Sequence, residues 1–120
     1  MNEFEFIASL LKPLAASFAG ALNLEDDAAI LAPEKGKEFV VTTDALTAGV
    51  HFFATDPPQL IAQKCLRVNL SDIAAMGATP YCYSLSLMLP EQTSLTWLTE
   101  FCNGLRADQD TYNVHLSGGD

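Results

Sequence analysis

Positive charge is scarce in this chain: lysine and arginine number 6 against 15 aspartates and glutamates, for a formal charge of −9. A protein that binds nucleic acid regardless of sequence does so by replacing phosphate counterions with lysine and arginine, and so acidic a chain is excluded from that class. If it handles phosphates, it must recruit cations, and carboxylates are how proteins hold hard cations such as Mg²⁺. Long apolar runs are missing too. None approaches the roughly 20 residues of a membrane-spanning helix. The acidic opening Met1-Asn2-Glu3-Phe4-Glu5 lacks the positive segment of a secretory signal. A soluble, cytoplasmic protein without nucleic-acid or membrane partners is the expectation. The 3 cysteines, Cys65, Cys82 and Cys102, are widely spaced and form no C-x-x-C pair. That excludes a disulfide framework and a zinc site of the usual spacing, and fits small buried thiols in a reducing compartment.

Several nucleotide and hydrolase signatures are also absent. There is no G-x-x-x-x-G-K-[ST] loop, no G-x-G-x-x-G, no G-x-S-x-G elbow and no H-E-x-x-H helix. Gly36-Lys37-Glu38 lacks both the spacing and the hydroxyl of a phosphate loop. Nucleotide phosphates, if bound, would therefore need carboxylate-held Mg²⁺ instead of a cradle of backbone N–H groups.

What is present reads as alternating helices and strands. Asn2 and Glu5 form a capping box ahead of Phe4, Ile7, Leu10, Leu11 and Leu14 at helical spacing, with Pro13 expected to end or bend that helix. Ala28–Leu31 and Glu38–Thr43 read as short strands. Asp56-Pro57-Pro58 opens a second helix that runs to a stop at Met76-Gly77. Tyr81–Leu89 alternates as a strand with both faces partly covered. Thr93–Ala107 carries Trp97, Phe101 and Leu105 on one helical stripe, Val114–Leu116 is a last strand, and Ser117-Gly118-Gly119-Asp120 a turn. No repeat, linker or low-complexity tract divides the chain. The fold class is α/β, a mixed sheet with helices packed on one face, in a single domain over residues 1–120.

Carboxylates fall at the ends of these elements, where loops converge on sites: Asp26-Asp27, Asp44 after Thr42-Thr43, Asp72, and Asp120 after Gly118-Gly119. Asp72 borders the apolar run Ile73-Ala74-Ala75-Met76, where a charge calls for pairing, a metal or an edge. Asn69, three residues earlier, faces the same way on a helix. His51 lies between Gly49-Val50 and Phe52-Phe53, a setting that suits packing as well as binding, and His115 reads as structural.

These motifs, in order, resemble the thiamine-monophosphate kinase family: Asp26-Asp27-Ala28-Ala29, Thr42-Thr43-Asp44-Ala45-Leu46, Gly49-Val50-His51-Phe52, the block from Val68-Asn69-Leu70-Ser71-Asp72 through Pro80, and Gly118-Gly119-Asp120. The resemblance covers essentially the whole chain. It implies the N-terminal domain shared with aminoimidazole ribonucleotide synthetase, which commonly dimerises through its sheet. It implies ATP-dependent phosphorylation of thiamine monophosphate to thiamine diphosphate with Mg²⁺ as cofactor. By position, Asp27, Asp44, Asp72 and Asp120 would be the Mg²⁺ carboxylates, with Thr42 and Thr43 adding oxygens. Gly119 and Asp120 would contact the nucleotide, and His51 the thiamine phosphate. No residue is assigned as a general acid or base.

Two departures stand out. The family carries Gly before the Asp pair, where this chain has Glu25. Family members are also much longer, so residues 1–120 are expected to be the N-terminal ATP- and Mg²⁺-binding domain of a two-domain kinase, inactive alone. The competing readings are another ATP-using enzyme of the same superfamily, of the selenophosphate synthetase or aminoimidazole ribonucleotide synthetase type, and a non-catalytic dimerisation or Mg²⁺-binding domain.

Overall fold

The computed structural model describes residues 1–120. The chain opens with α1 (Glu3–Phe6), a π-helical turn (Ile7–Leu11) and α2 (Lys12–Ala15), which run on from one another. The capping box is formed: Asn2 Oδ1 accepts from Glu5 N–H, and the Glu5 carboxylate accepts from Asn2 N–H. Pro13 does not end the helix. The Lys12 N–H reaches back five residues to the Ile7 carbonyl. A widened turn just ahead of a proline fits a ring that has no N–H and would crowd the preceding turn.

A 3₁₀ segment (Ala19–Leu24) follows, and then a long extended stretch leads to α3 (Pro58–Ala75). The structure corrects the two strands expected in that stretch. Ala28–Leu31 and Glu38–Thr43 join no ladder, and Ile30 and Val41 are 67% and 85% exposed. Strand propensity expresses cross-strand packing and burial more than any backbone preference, and apart from Phe39, which stacks on Tyr81 at 5.8 Å, these residues find little of either. The helix start is also shifted. Pro57 is the cap of α3, while Asp56 turns back to accept from Phe53 N–H at 2.9 Å.

The C-terminus of α3 closes as the sequence implied. Gly77 has φ +68°, its N–H bonds the Ala74 carbonyl, and the Ala78 N–H bonds the Ile73 carbonyl. This is the Schellman arrangement, whose left-handed residue glycine adopts without penalty. Next come β1 (Cys82–Leu85), α4 (Leu95–Tyr112) and β2 (His115–Gly119). Ser94 Oγ caps α4 by accepting from Trp97 N–H, and the helix runs five residues beyond Ala107 to Tyr112, with Asn113 ending it in the left-handed region.

β1 and β2 pair in parallel across α4, forming a βαβ unit. Cys82 lies opposite His115 and Tyr83 opposite Leu116. The register then slips, so that Ser84 and Leu85 face Gly118 and Gly119. Ser117 is the extra residue, and its hydroxyl donates to the Tyr83 carbonyl. Gly118-Gly119 therefore belongs to a strand, not a turn. Only residues 82–85 of the expected Tyr81–Leu89 strand pair, and Ser84, Ser86 and Met88 are exposed, so one face is open beyond Cys82.

The apolar core joins Phe6, Leu11, Leu14 and Phe18 from the N-terminal segment to Ile61 and Leu66 of α3. Phe101 and Leu105 of α4 and Val114 and Leu116 around β2 complete it. Buried groups of this kind contribute about 1.5–3 kcal/mol each. A polar tie crosses the core: Tyr83 Oη donates to Gln109 Oε1, and Gln109 Nε2 donates to the Leu14 carbonyl, at 2.8 and 2.9 Å. Burial raises the Tyr83 phenol well above its ordinary pKa.

Candidate functional site

Two clefts receive the sequence-predicted aspartates. One face of α3 presents Gln63, Lys64, Arg67 and Ser71 at three- and four-residue spacing, and these line a cleft of about 620 Å³. Asp72 closes its end and Asp44 enters from the extended segment. Near the sheet end, a cleft of about 290 Å³ holds Asp26 and Asp27 on one side and Ser117 through Asp120 on the other.

The four candidate carboxylates are thus sorted into two pairs, Asp44 with Asp72 and Asp27 with Asp120. No three His, Cys, Asp or Glu side chains converge into one metal cage. All four are exposed, and none makes an ion pair. Asp72 stands one turn from the C-terminus of α3, at the negative end of the helix dipole, with no basic residue in the last turn. An anion there is disfavoured by the dipole, which leaves the site receptive to a cation.

Asp120 is positioned by backbone. Its N–H donates to the Leu85 carbonyl at 3.0 Å and its carbonyl accepts from Leu87 N–H at 2.8 Å. Gly119 makes this approach possible, because a Cβ there would stand 2.3 Å from the Leu85 carbonyl oxygen. Bulges commonly re-aim a strand end beside a site, and the one at Ser117 lies directly before this pair.

Ahead of Asp26 the backbone is strained. Leu22, Asn23 and Leu24 have φ of +51°, +61° and +54°. The left-handed region is sparsely populated by non-glycine residues and tends to mark functional segments. Glu25, where the family carries Gly, has φ −104° and needs no glycine. Its carboxylate pairs with Lys12, and that hydrogen bond, with the lysine's charge, holds it below the ordinary carboxyl range.

Thr42 and Thr43 line neither cleft and make no side-chain hydrogen bond. His51 sits in the turn beside α3, outside both clefts. Its Nδ1 accepts from Thr47 N–H at 2.9 Å, Gly49 supplies the positive φ of +81°, and Lys64 Nζ donates to the His51 carbonyl. His115 stacks on Phe18 at 5.7 Å, in keeping with a structural role. Cys102 is buried, while Cys65 and Cys82 are half-buried.

The first cleft also contains two cations that no acidic motif marks, Lys64 and Arg67. Asp108, buried to 1% exposure in α4, grips Arg67 with two hydrogen bonds of 3.0 and 2.9 Å. The spacing of Gln63, Lys64, Arg67 and Ser71 was the signal available in the sequence. The partner Asp108, 41 residues away along the chain, was not.

Residues 25–120 match the AIR synthase related protein, N-terminal domain family, and the chain belongs to it. Its relatives include the thiamine-monophosphate kinase of Caulobacter vibrioides, 43% identical over 119 residues, which are 99% of this chain and 34% of that protein. The thiamine-monophosphate kinase of Synechococcus elongatus is 45% identical over 111 residues, 92% of this chain and 34% of that protein. Among solved structures, thiamine monophosphate kinase from Aquifex aeolicus superposes with a TM-score of 0.63 at 35% identity, covering 65% of this chain and 27% of that one. The chain spans about a third of the length of the curated relatives it matches.

Proposed function

We propose that residues 1–120 form the ATP- and Mg²⁺-binding N-terminal domain of a thiamine-monophosphate kinase, which transfers a phosphoryl group from ATP to thiamine monophosphate. The observation that carries the reading is the first cleft, where unpaired Asp44 and Asp72 share a wall with Lys64 and Arg67. The kinase names of the relatives support the choice of substrates.

The donors fit the metal in kind and number. Mg²⁺ prefers oxygen ligands and is ordinarily held by one or two carboxylates plus substrate phosphates, not by an all-protein cage. Two pairs of free aspartates meet that demand. Asp44 and Asp72 would hold metal in the first cleft and Asp27 and Asp120 in the second, while Thr42 and Thr43, which line neither cleft, belong to neither set. Mg²⁺ held by these carboxylates would supply positive charge to offset that on the phosphate oxygens during transfer. Gly119 and Asp120 contact the nucleotide and His51 the thiamine phosphate. The attacking group is a phosphate monoester, mostly ionised at neutral pH because its second pKa is about 6. No strong general base is therefore required.

The exposed apolar stretch with Ile30, Phe39, Val40 and Val41 supports a further element of the reading, a homodimer joined through this N-terminal region. No helix is long and apolar enough to cross a membrane, and a cytoplasmic location accords with the metabolic substrates. The remainder of a two-domain protein completes the sites, so residues 1–120 alone are inactive.

Asp72→Asn tests the reading. Thiamine diphosphate formation by the intact protein should be lost while circular dichroism and the melting temperature stay close to wild type, and EDTA should abolish turnover. Full activity of the variant, or of the wild type in EDTA, would overturn the metal assignment.

A further inference from the structure

We propose that Arg67, positioned by Asp108, is a phosphate-binding residue of the cleft it shares with Asp44 and Asp72. The assignment rests on the phosphoryl-transfer reading for the identity of its ligands, but its geometry stands apart from the aspartates.

Asp108 is 1% exposed, whereas the Arg67 side chain is 51% exposed. The bridge is buried at its anchor and open at its cation. Asp108 takes the Nε and Nη2 edge of the guanidinium. An arginine carries five N–H donors, so three remain, and none has a protein acceptor in this structure. Tyr112 lies against the group, with Cζ 5.9 Å from its ring centroid. A carboxylate in the core thus holds the guanidinium in one orientation before any ligand arrives, which lowers the entropy lost on binding.

The distribution of charge agrees. Of the chain's 6 basic residues, Lys12 and Lys37 pair with Glu25 and Glu34, and Arg106 donates to the Pro13 carbonyl. Two of the remaining three, Lys64 and Arg67, lie one turn apart in the same cleft. Lys64 donates to the His51 carbonyl, whereas Arg67 is fixed in orientation by a buried carboxylate and presents a planar edge. Asp44 and Asp72 line the same cleft and would repel a bare anion. A ligand that carries both a cation and phosphate oxygens satisfies both charges, with metal on the aspartates and oxygens on the planar fork of Arg67. A metal-bound phosphate is the ligand class, supplied either by the nucleotide or by the phosphate acceptor.

The test uses the intact protein with Arg67→Ala and Arg67→Lys. Calorimetric titrations with Mg²⁺ plus pyrophosphate, with a non-hydrolysable ATP analogue plus Mg²⁺, and with thiamine monophosphate are set beside steady-state kinetics and thermal melting. Arg67→Ala should weaken pyrophosphate and one of the two substrates by at least about tenfold, the loss of a charge-assisted hydrogen bond. Whichever substrate weakens identifies the source of the phosphate, and its KM should rise more than kcat falls. Arg67→Lys keeps the charge and a contact to Asp108 and is the folded comparator. It should lose severalfold in affinity, because an ammonium cannot hold Asp108 and a phosphate with one planar fork. Affinities within twofold of wild type in both variants, with a lowered melting temperature, would make the pair a purely structural bridge and overturn the proposal. Wild-type protein that binds pyrophosphate through Arg67 but forms no thiamine diphosphate would remove the kinase reading and leave the phosphate site standing.

Discussion

Gly104 of α4 lies directly against the backbone of Gln59 in the first turn of α3: a Cβ at position 104 would be 2.4 Å from the Gln59 carbonyl oxygen and 2.8 Å from its Cα. α3 and α4 share the most extensive contact in the molecule, and this missing side chain sets how closely they cross. The cleft that holds Lys64, Arg67 and Asp72 is built on one of those helices, and Asp108 reaches Arg67 from the other.

Gly104→Ala should therefore destabilise the protein. Alanine gains about 1 kcal/mol of helix propensity over glycine, but the new methyl meets backbone that cannot rotate away, and overpacking costs about 1–3 kcal/mol or more. The net expectation is a loss of about 2 kcal/mol and a melting temperature lower by several degrees. A variant that melts at or above wild type would contradict the close crossing.

Gly119→Ala should act on function more than on stability. The substitution pushes the strand away from Leu85 where the Asp120 N–H bonds the Leu85 carbonyl. The carboxylate of Asp120 then moves relative to Asp27 across the second cleft. Nucleotide affinity and turnover of the intact protein should fall about tenfold or more, since misplacement of about 1 Å is costly in phosphoryl transfer. A melting temperature falling in step with activity would assign the effect to folding instead.

Buried thiols predict a loss of stability in alkali. Burial pushes Cys102 up to about 11 from the ordinary 9.0, and Cys65 and Cys82 are raised for the same reason. The folded state therefore holds these protons more tightly than the unfolded state. The contribution is fully present below pH 9 and is lost as pH rises through about 11, amounting to about 3 kcal/mol for Cys102 at 1.36 kcal/mol per pKa unit. Urea unfolding followed from pH 8 to 11 should show the decline, and Cys102→Ala should flatten part of it. An unchanged slope in that variant would place the titration elsewhere.

Features governed by neighbours in the chain were legible before the fold was known. The Asn2–Glu5 capping box, the Gly77 stop and the stripe of Trp97, Phe101 and Leu105 all depend on residues within about one helical turn. Trp97 and Phe101 do stack, at 5.2 Å. Strands were harder to place, because strand formation needs a partner that local sequence cannot name. Ala28–Leu31 and Glu38–Thr43 have strand composition and no ladder, while Gly118-Gly119 has turn composition and lies in β2. Asp56-Pro57-Pro58 does open α3, but the Asp56 carboxylate accepts from Phe53 N–H, three residues back, instead of capping the helix.

The sequence by itself determined the chemistry available: an acidic chain with few cations, no phosphate loop, and aspartates at Asp27, Asp44, Asp72 and Asp120 in an order that resembles a kinase family. Those are matters of composition and order, which survive without coordinates. Only the tertiary structure decided that the aspartates divide into two pairs, that Arg67 shares a cleft with Asp44 and Asp72, and that Asp108 holds it there. Side chains from α3, α4 and the extended segment meet through helix packing and strand register, and a one-dimensional pattern records neither.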